Sequence, residues 1–126
     1  MEFRTPIAKV RGLGAARAGL GHWKMQRLTA ISNVLLVLWF MFSAMALSGS
    51  GYEQVRAWLA SPLTASLMVL LIISTFYHAR LGLQVVVEDY VHHEGLKMAS
   101  LVAIVLVVLA LAVACIVAVL KVAVGG

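Results

Sequence analysis

The chain has 126 residues, 63% of them hydrophobic and 12% charged, with a mean hydropathy of +1.00. A soluble domain averages about 45–50% apolar and about 25% charged residues, so an ordinary soluble globular domain is excluded. The net charge of +5 does not describe a nucleic-acid surface either, because six of the ten basic residues (Arg4, Lys9, Arg11, Arg17, Lys24, Arg27) precede the first apolar run. That asymmetry is the positive-inside signal of a membrane protein, so the expected surroundings are lipid and no nucleic acid. The one cysteine, Cys115, excludes an internal disulfide and reads as a small packed hydrophobe.

A bilayer core takes about 20 apolar residues per helix, and residues 28–47, 62–87 and 96–120 are long enough to cross it. Residues 1–27 are rich in Gly, Ala and Arg, with no apolar core like that of a signal peptide. An Arg-rich, acid-poor start also suits a mitochondrial transit peptide. The direct run into His22-Trp23-Lys24-Met25-Gln26-Arg27 suits an interfacial anchor better. A bacterial N-terminal segment on the cytoplasmic side is expected, with Arg17 in a flexible Gly/Ala part. His22, Gln26, Thr29 and Asn33 follow the spacing i, i+4, i+7, i+11 and share one helical face. Two uses of that face stay open: hydrogen bonding between spans, or, with Arg27, the border of a cofactor or substrate site. Trp39 and Phe40 read as packing or lipid contacts.

Ser48-Gly49-Ser50-Gly51 breaks the first helix, and Tyr52 to Ala60 reads as a short amphipathic segment anchored at the opposite surface by Tyr52 and Trp58. Residues 48–61 are thus the periplasmic loop. Ser61-Pro62 predicts a helix start, with serine capping free amides and proline at the first position. The second span, 62–87, exceeds what a bilayer needs, so its last turns project to the cytoplasmic headgroups. It carries His78. An ionisable side chain within a span is costly and is a functional-site candidate by default. His78 is either hydrogen-bonded between helices or an axial ligand to a haem, one ring nitrogen taking iron and the other oriented by a partner. Gly82, one turn on, leaves room for a flat macrocycle. His22, His92 and His93 lie near the surface, so a second axial ligand is expected from another chain. Arginine at a span centre costs about 2.5–3.5 kcal/mol, which puts Arg80 near the interface or in a pair.

His78 and Asp89 are eleven residues apart, hence within about 20° of one face and roughly 16 Å apart along the axis. Asp89-Tyr90 is either a solvated acid beside an interfacial tyrosine or a quinone-site pair. In the second case the phenol donates to a quinone carbonyl, while Asp89 relays protons or holds a partner's arginine. In the cytoplasmic loop 88–95, His92, His93 and Glu94 read as solvated, because adjacent loop histidines seldom chelate one ion alone. The third span is flanked by Lys97 and Lys121, and Ala99, Ala103, Ala110, Ala114 and Ala118 form a stripe suited to close helix packing. Eight of the ten basic residues, the six above with Arg80 and Lys97, fall on the N-terminal segment and second loop; Arg56 and Lys121 fall on the other side. The N-terminus is therefore expected in the cytoplasm and the C-terminus in the periplasm.

The predicted fold is an all-α membrane protein: one anchor domain, residues 1–126, with three transmembrane helices inside a larger heteromeric bundle. His78, ten intervening residues, then Asp89-Tyr90 on the second of three spans resembles the small cytochrome b anchor (D-type) of succinate dehydrogenase, respiratory complex II. His22-Trp23-Lys24-Met25-Gln26-Arg27-Leu28-Thr29-Ala30 is similar to that family's second signature. Tyr77-His78-Ala79-Arg80-Leu81-Gly82 and Glu88-Asp89-Tyr90 resemble its alphaproteobacterial branch. The resemblance implies a four-chain enzyme of the bacterial inner membrane that is inactive as this chain alone. A flavoprotein subunit oxidises succinate, an iron–sulfur subunit carries the electrons, and this chain and a second cytochrome b anchor subunit hold haem b and form the ubiquinone pocket. It implies His78 as a haem-iron ligand, Arg27 and His22 beside the propionates, and Tyr90 with Asp89 at the quinone. The competing expectations are a purely structural anchor or assembly protein without cofactor, and a fumarate reductase anchor.

Overall fold

The structure, a computed structural model, describes residues 14–125. Arg4, Lys9 and Arg11 of the basic N-terminal segment lie outside the described residues. Four helices follow one another: α1 (Gly14–Ala46), α2 (Tyr52–Ala60), α3 (Pro62–Tyr90) and α4 (Glu94–Ala123). Among the described residues there is no strand. Three helical stretches are long and apolar enough to cross a membrane, Gly19–Ala46, Pro62–Tyr90 and Glu94–Ala123, with 28, 29 and 30 residues. At 1.5 Å per residue even the shortest of these spans about 42 Å against a hydrocarbon core of about 30 Å, so the helix ends project past it.

α1 begins well before the span expected from residue 28. Ala, Leu, Met, Lys, Gln and Arg are strong helix formers and outweigh the scattered glycines there. Arg17 accordingly lies in a helix. α1 stops where Gly49 takes φ +82°, a left-handed turn that glycine adopts without a Cβ clash. Ser50 N–H then donates to the Leu47 carbonyl at 2.9 Å.

α2 has the expected bounds, but Trp58 does more than mark the membrane surface. Its ring stacks on Trp39 with centroids 5.6 Å apart and planes at 23°, so it ties α2 back to α1. Ser61 makes no side-chain cap to α3. Its carbonyl instead accepts from Ala65 N–H at 2.9 Å, with Pro62 opening the helix.

α3 is the middle of a row, packed along α1 on one side and α4 on the other, while α2 rests against α3 and α4. Four described residues are buried, Thr29, Leu59, Ser74 and Leu81. α4 buries none, and its alanine stripe is exposed. A surface of leucine and valine is stable against lipid or against further helices, and the small-residue stripe remains free to pack on another helix.

Gly49→Ala is expected to lower the apparent melting temperature of the detergent-solubilised protein, by about 1 kcal/mol of destabilisation, because alanine is strained at positive φ. Gly21→Ala, inside α1 with open space around its Cβ position, is expected to raise it slightly. Thermal unfolding followed by circular dichroism checks both.

Candidate functional site

The polar groups of the membrane interior meet where α1 crosses α3. Ser74 and His78 lie one turn apart on α3, and Thr29 of α1 sits between them. Ser74 Oγ donates to the Thr29 carbonyl at 3.3 Å, and Thr29 Oγ1 lies 3.0 Å from His78 Nδ1. Further along the same seam, Thr75 Oγ1 donates to Asn33 Oδ1 at 3.4 Å. Thr29 is 7% exposed, and Leu81, two turns past Ser74 on α3, is 3% exposed. Side-chain hydrogen bonds between transmembrane helices contribute about 0.6–2 kcal/mol each, so this seam fixes the register of α1 on α3.

The polar face of α1 therefore divides its labour. Thr29 and Asn33 bond across to α3, whereas Gln26 lines an open cavity of about 310 Å³ with Trp23, Arg27, Ala30 and His78. The Arg27 guanidinium carbon lies 5.2 Å from the centroid of the Trp23 ring. A cation over an indole face gains about 0.5–1 kcal/mol even where exposed, which holds the guanidinium at the cavity. His22 Nε2 is buried with no hydrogen-bond partner among the described residues. An imidazole whose Nδ1 is engaged and which lines an open cavity keeps a second nitrogen that can ligate a metal, and a guanidinium beside it can take a carboxylate. The cavity is open outward.

The opposite face of α3 is different in kind. Ile73, Phe76, Tyr77 and Arg80 form an apolar groove with α4 of about 470 Å³. It is larger than the cavity at His78 but gathers fewer groups able to do chemistry. Arg80 places its guanidinium carbon 5.9 Å from the Tyr77 ring centroid, so its partner is an aromatic ring; among the described residues it has no salt bridge to a carboxylate. A Cβ at Gly82 would meet nothing within 4 Å, and Gly82 does not line the His78 cavity.

Asp89 and Tyr90 end α3, both exposed, Tyr90 at 77%. Tyr90 is twelve residues beyond His78, about 18 Å along the helix, so the structure does not bring the two into one site. Glu88 Oε1 accepts from Gln84 Nε2 at 2.9 Å. His92, His93 and Glu94 are exposed. His93 has a further role that the sequence reading missed: its Nδ1 accepts from Leu96 N–H at 3.1 Å and caps α4. Ser74 and the Trp23 stack were also missed. A serine exactly one turn before an intramembrane histidine was the available signal for the first.

The model of the family described as succinate dehydrogenase/fumarate reductase transmembrane subunit matches residues 1–119. The chain belongs to this family. A relative from Rickettsia bellii is 36% identical over 118 residues, covering 94% of both chains. One from Rickettsia conorii is 29% identical over 97 residues, 76% of this chain and 77% of its own. One from Paracoccus denitrificans is 28% identical over 90 residues, 71% and 70% of the two chains. All three are named succinate dehydrogenase hydrophobic membrane anchor subunit. The family match and these relatives bear out the resemblance read from the two motifs, including its alphaproteobacterial character. Membership of this family, with three membrane-spanning helices, makes the chain a multi-pass membrane protein.

Replacing His93 by alanine is expected to cost about 1 kcal/mol through loss of the helix cap, and His93→Asn to restore most of it. His92→Ala, with no such bond, should change little. Apparent melting temperatures of the three variants in detergent decide the point.

Proposed function

We propose that this chain is the D-type anchor of a succinate:ubiquinone oxidoreductase in a bacterial inner membrane, with its N-terminus in the cytoplasm. In this reading it holds haem b together with a second anchor subunit. It also contributes to the ubiquinone site next to the iron–sulfur subunit, which receives electrons from the flavoprotein. The observation that carries the reading is His78: one ring nitrogen is bonded inside the membrane, and the ring borders an open cavity with Arg27. A histidine kept only for packing would be expected to satisfy both nitrogens within the bundle, because an unmet polar group in hydrocarbon is costly. The relatives' names favour succinate dehydrogenase over a fumarate reductase anchor.

The residues present fit a haem. His78 Nε2 would take the iron, and Arg27, held by Trp23, would receive a propionate carboxylate. His22 Nε2, without a hydrogen-bond partner among the described residues, offers a second polar group on the same helix. Bound haem supplies a one-electron carrier inside the membrane. The open cavity is the reason a second chain is required, since a group seated there would be covered on one side only.

At the end of α3, Tyr90 supplies a neutral donor and Asp89 an acid at the membrane surface. A phenol hydroxyl is an uncharged donor and can bond to a quinone carbonyl without placing net charge there. Asp89 either relays a proton to that site or holds an arginine of a partner subunit. Both residues are exposed in this chain, as befits a pocket whose remaining walls belong to other subunits.

Two variants test the two halves of this proposal. His78→Leu is expected to yield an assembled complex with reduced or absent haem; a complex with unaltered haem content and spectrum would reject the ligand assignment. Tyr90→Phe is expected to lower succinate–quinone turnover about tenfold, equivalent to about 1.4 kcal/mol, while electron transfer from succinate to a soluble dye stays near normal. Unchanged quinone turnover would remove Tyr90 from the site.

A further inference from the structure

The hydroxyl of Thr29 has one proton and three neighbours. It lies 2.8 Å from the Met25 carbonyl and 3.1 Å from the Gln26 carbonyl, both on its own helix, and 3.0 Å from His78 Nδ1. The shortest of these is the usual bond from a helical threonine to the carbonyl one turn back. With the proton committed there, the oxygen can only accept from the imidazole. Nδ1 therefore bears the hydrogen, and in the neutral ring Nε2 bears the lone pair. This assignment follows from the hydrogen-bond network and fixes the tautomer that metal ligation through Nε2 requires.

We propose that Thr29 is the positioning residue of His78: by accepting from Nδ1–H it fixes the ring's tautomer and orientation, leaves Nε2 as the ligand atom on the cavity side, and tunes the reduction potential of the haem. The proposal rests on the haem reading given above. Three features suit Thr29 to this task. β-Branching leaves threonine few rotamers in a helix, and its bond to the preceding turn selects among them. Its carbonyl is held by Ser74, one turn from His78 on the same helix, so α3 grips Thr29 at two points. It is also buried, which keeps water from replacing its hydroxyl. A hydrogen bond from the distal N–H of a ligating imidazole raises the basicity of the ligating nitrogen. A more basic ligand favours ferric over ferrous iron, so the bond holds the potential down.

The test uses the whole membrane complex purified with each variant of this chain, with haem content, midpoint potential and the low-temperature electron paramagnetic resonance of the ferric haem as readouts. Thr29→Val keeps the shape and removes the acceptor; the potential is expected to shift positive and the ferric g-values to move. Thr29→Ser keeps the hydroxyl and is expected to return both toward wild type. Thr75→Val removes a different hydrogen bond of the same seam and is expected to leave both unchanged, which separates ring positioning from general adhesion of α1 to α3. Should the valine complex fail to assemble, Thr29→Ala is read in the same way. A wild-type potential and spectrum in Thr29→Val, a serine variant no closer to wild type than valine, or an equal shift in Thr75→Val would each overturn the proposal. His78→Leu run alongside tells the two failures apart. Unaltered haem in His78→Leu removes the ligand and Thr29's role together, whereas lost haem there with an unshifted Thr29→Val removes Thr29 alone.

Discussion

The polar clasp of Thr29, Ser74 and His78 is the interaction on which the rest of the chain depends. Inside a bilayer, apolar side chains gain little by leaving lipid for one another, so leucine and valine surfaces do not by themselves select one register between two helices. A hydroxyl, a carbonyl and an imidazole that must satisfy each other in hydrocarbon do select one. Ser74 bonds to the carbonyl of Thr29 and His78 to its hydroxyl, so a slide of α1 along α3 by one residue would break both contacts. The same clasp turns the His78 ring toward the cavity that Trp23, Gln26, Arg27 and Ala30 line. Adhesion and site geometry are thus set by one group of atoms.

The chain is also visibly one part of a larger assembly. Few of its described residues are buried, α4 buries none, and the alanine stripe of α4 faces outward. The His78 cavity lacks an outer wall, and Tyr90 stands exposed at the end of α3. These features suit a membrane anchor that is one subunit of a complex. On the proposed reading, the distance along α3 between His78 and Tyr90 has a simple reason: an internal electron carrier and a surface site for quinone protonation would have no need to share one pocket. The long α3 holds His78 and Tyr90 at different depths.

Much of this was legible in the sequence because the membrane simplifies it. Three apolar runs could only be spanning helices, and the Ser-Gly-Ser-Gly break and the short helix after it were placed correctly. His78 stood out because histidine is costly in a span, and the spacing to Asp89-Tyr90 carried the family. The contacts between helices were not legible. That Thr29 bonds to His78, and that Trp58 stacks on Trp39, depends on which faces of α1, α2 and α3 meet. Periodicity places residues on a face but does not say which faces meet. The helix α1 also starts earlier than the membrane span: the span was read from hydropathy, while the helix follows backbone propensity and continues beyond the apolar run. His93 was read only as a solvated loop residue because a histidine cap has no sequence signature comparable to serine or aspartate.

The central claim is that His78 is held by Thr29 so as to offer Nε2 to a haem shared with a second membrane chain. It is tested most directly by purifying the assembly through a tag on this chain and recording its dithionite-reduced minus air-oxidised absorbance spectrum. The account predicts co-purification of a second small membrane subunit with an iron–sulfur protein and a flavoprotein, and a difference spectrum with the bands of a b-type haem that has two histidine ligands. An intact assembly of those subunits with no haem signal would contradict it.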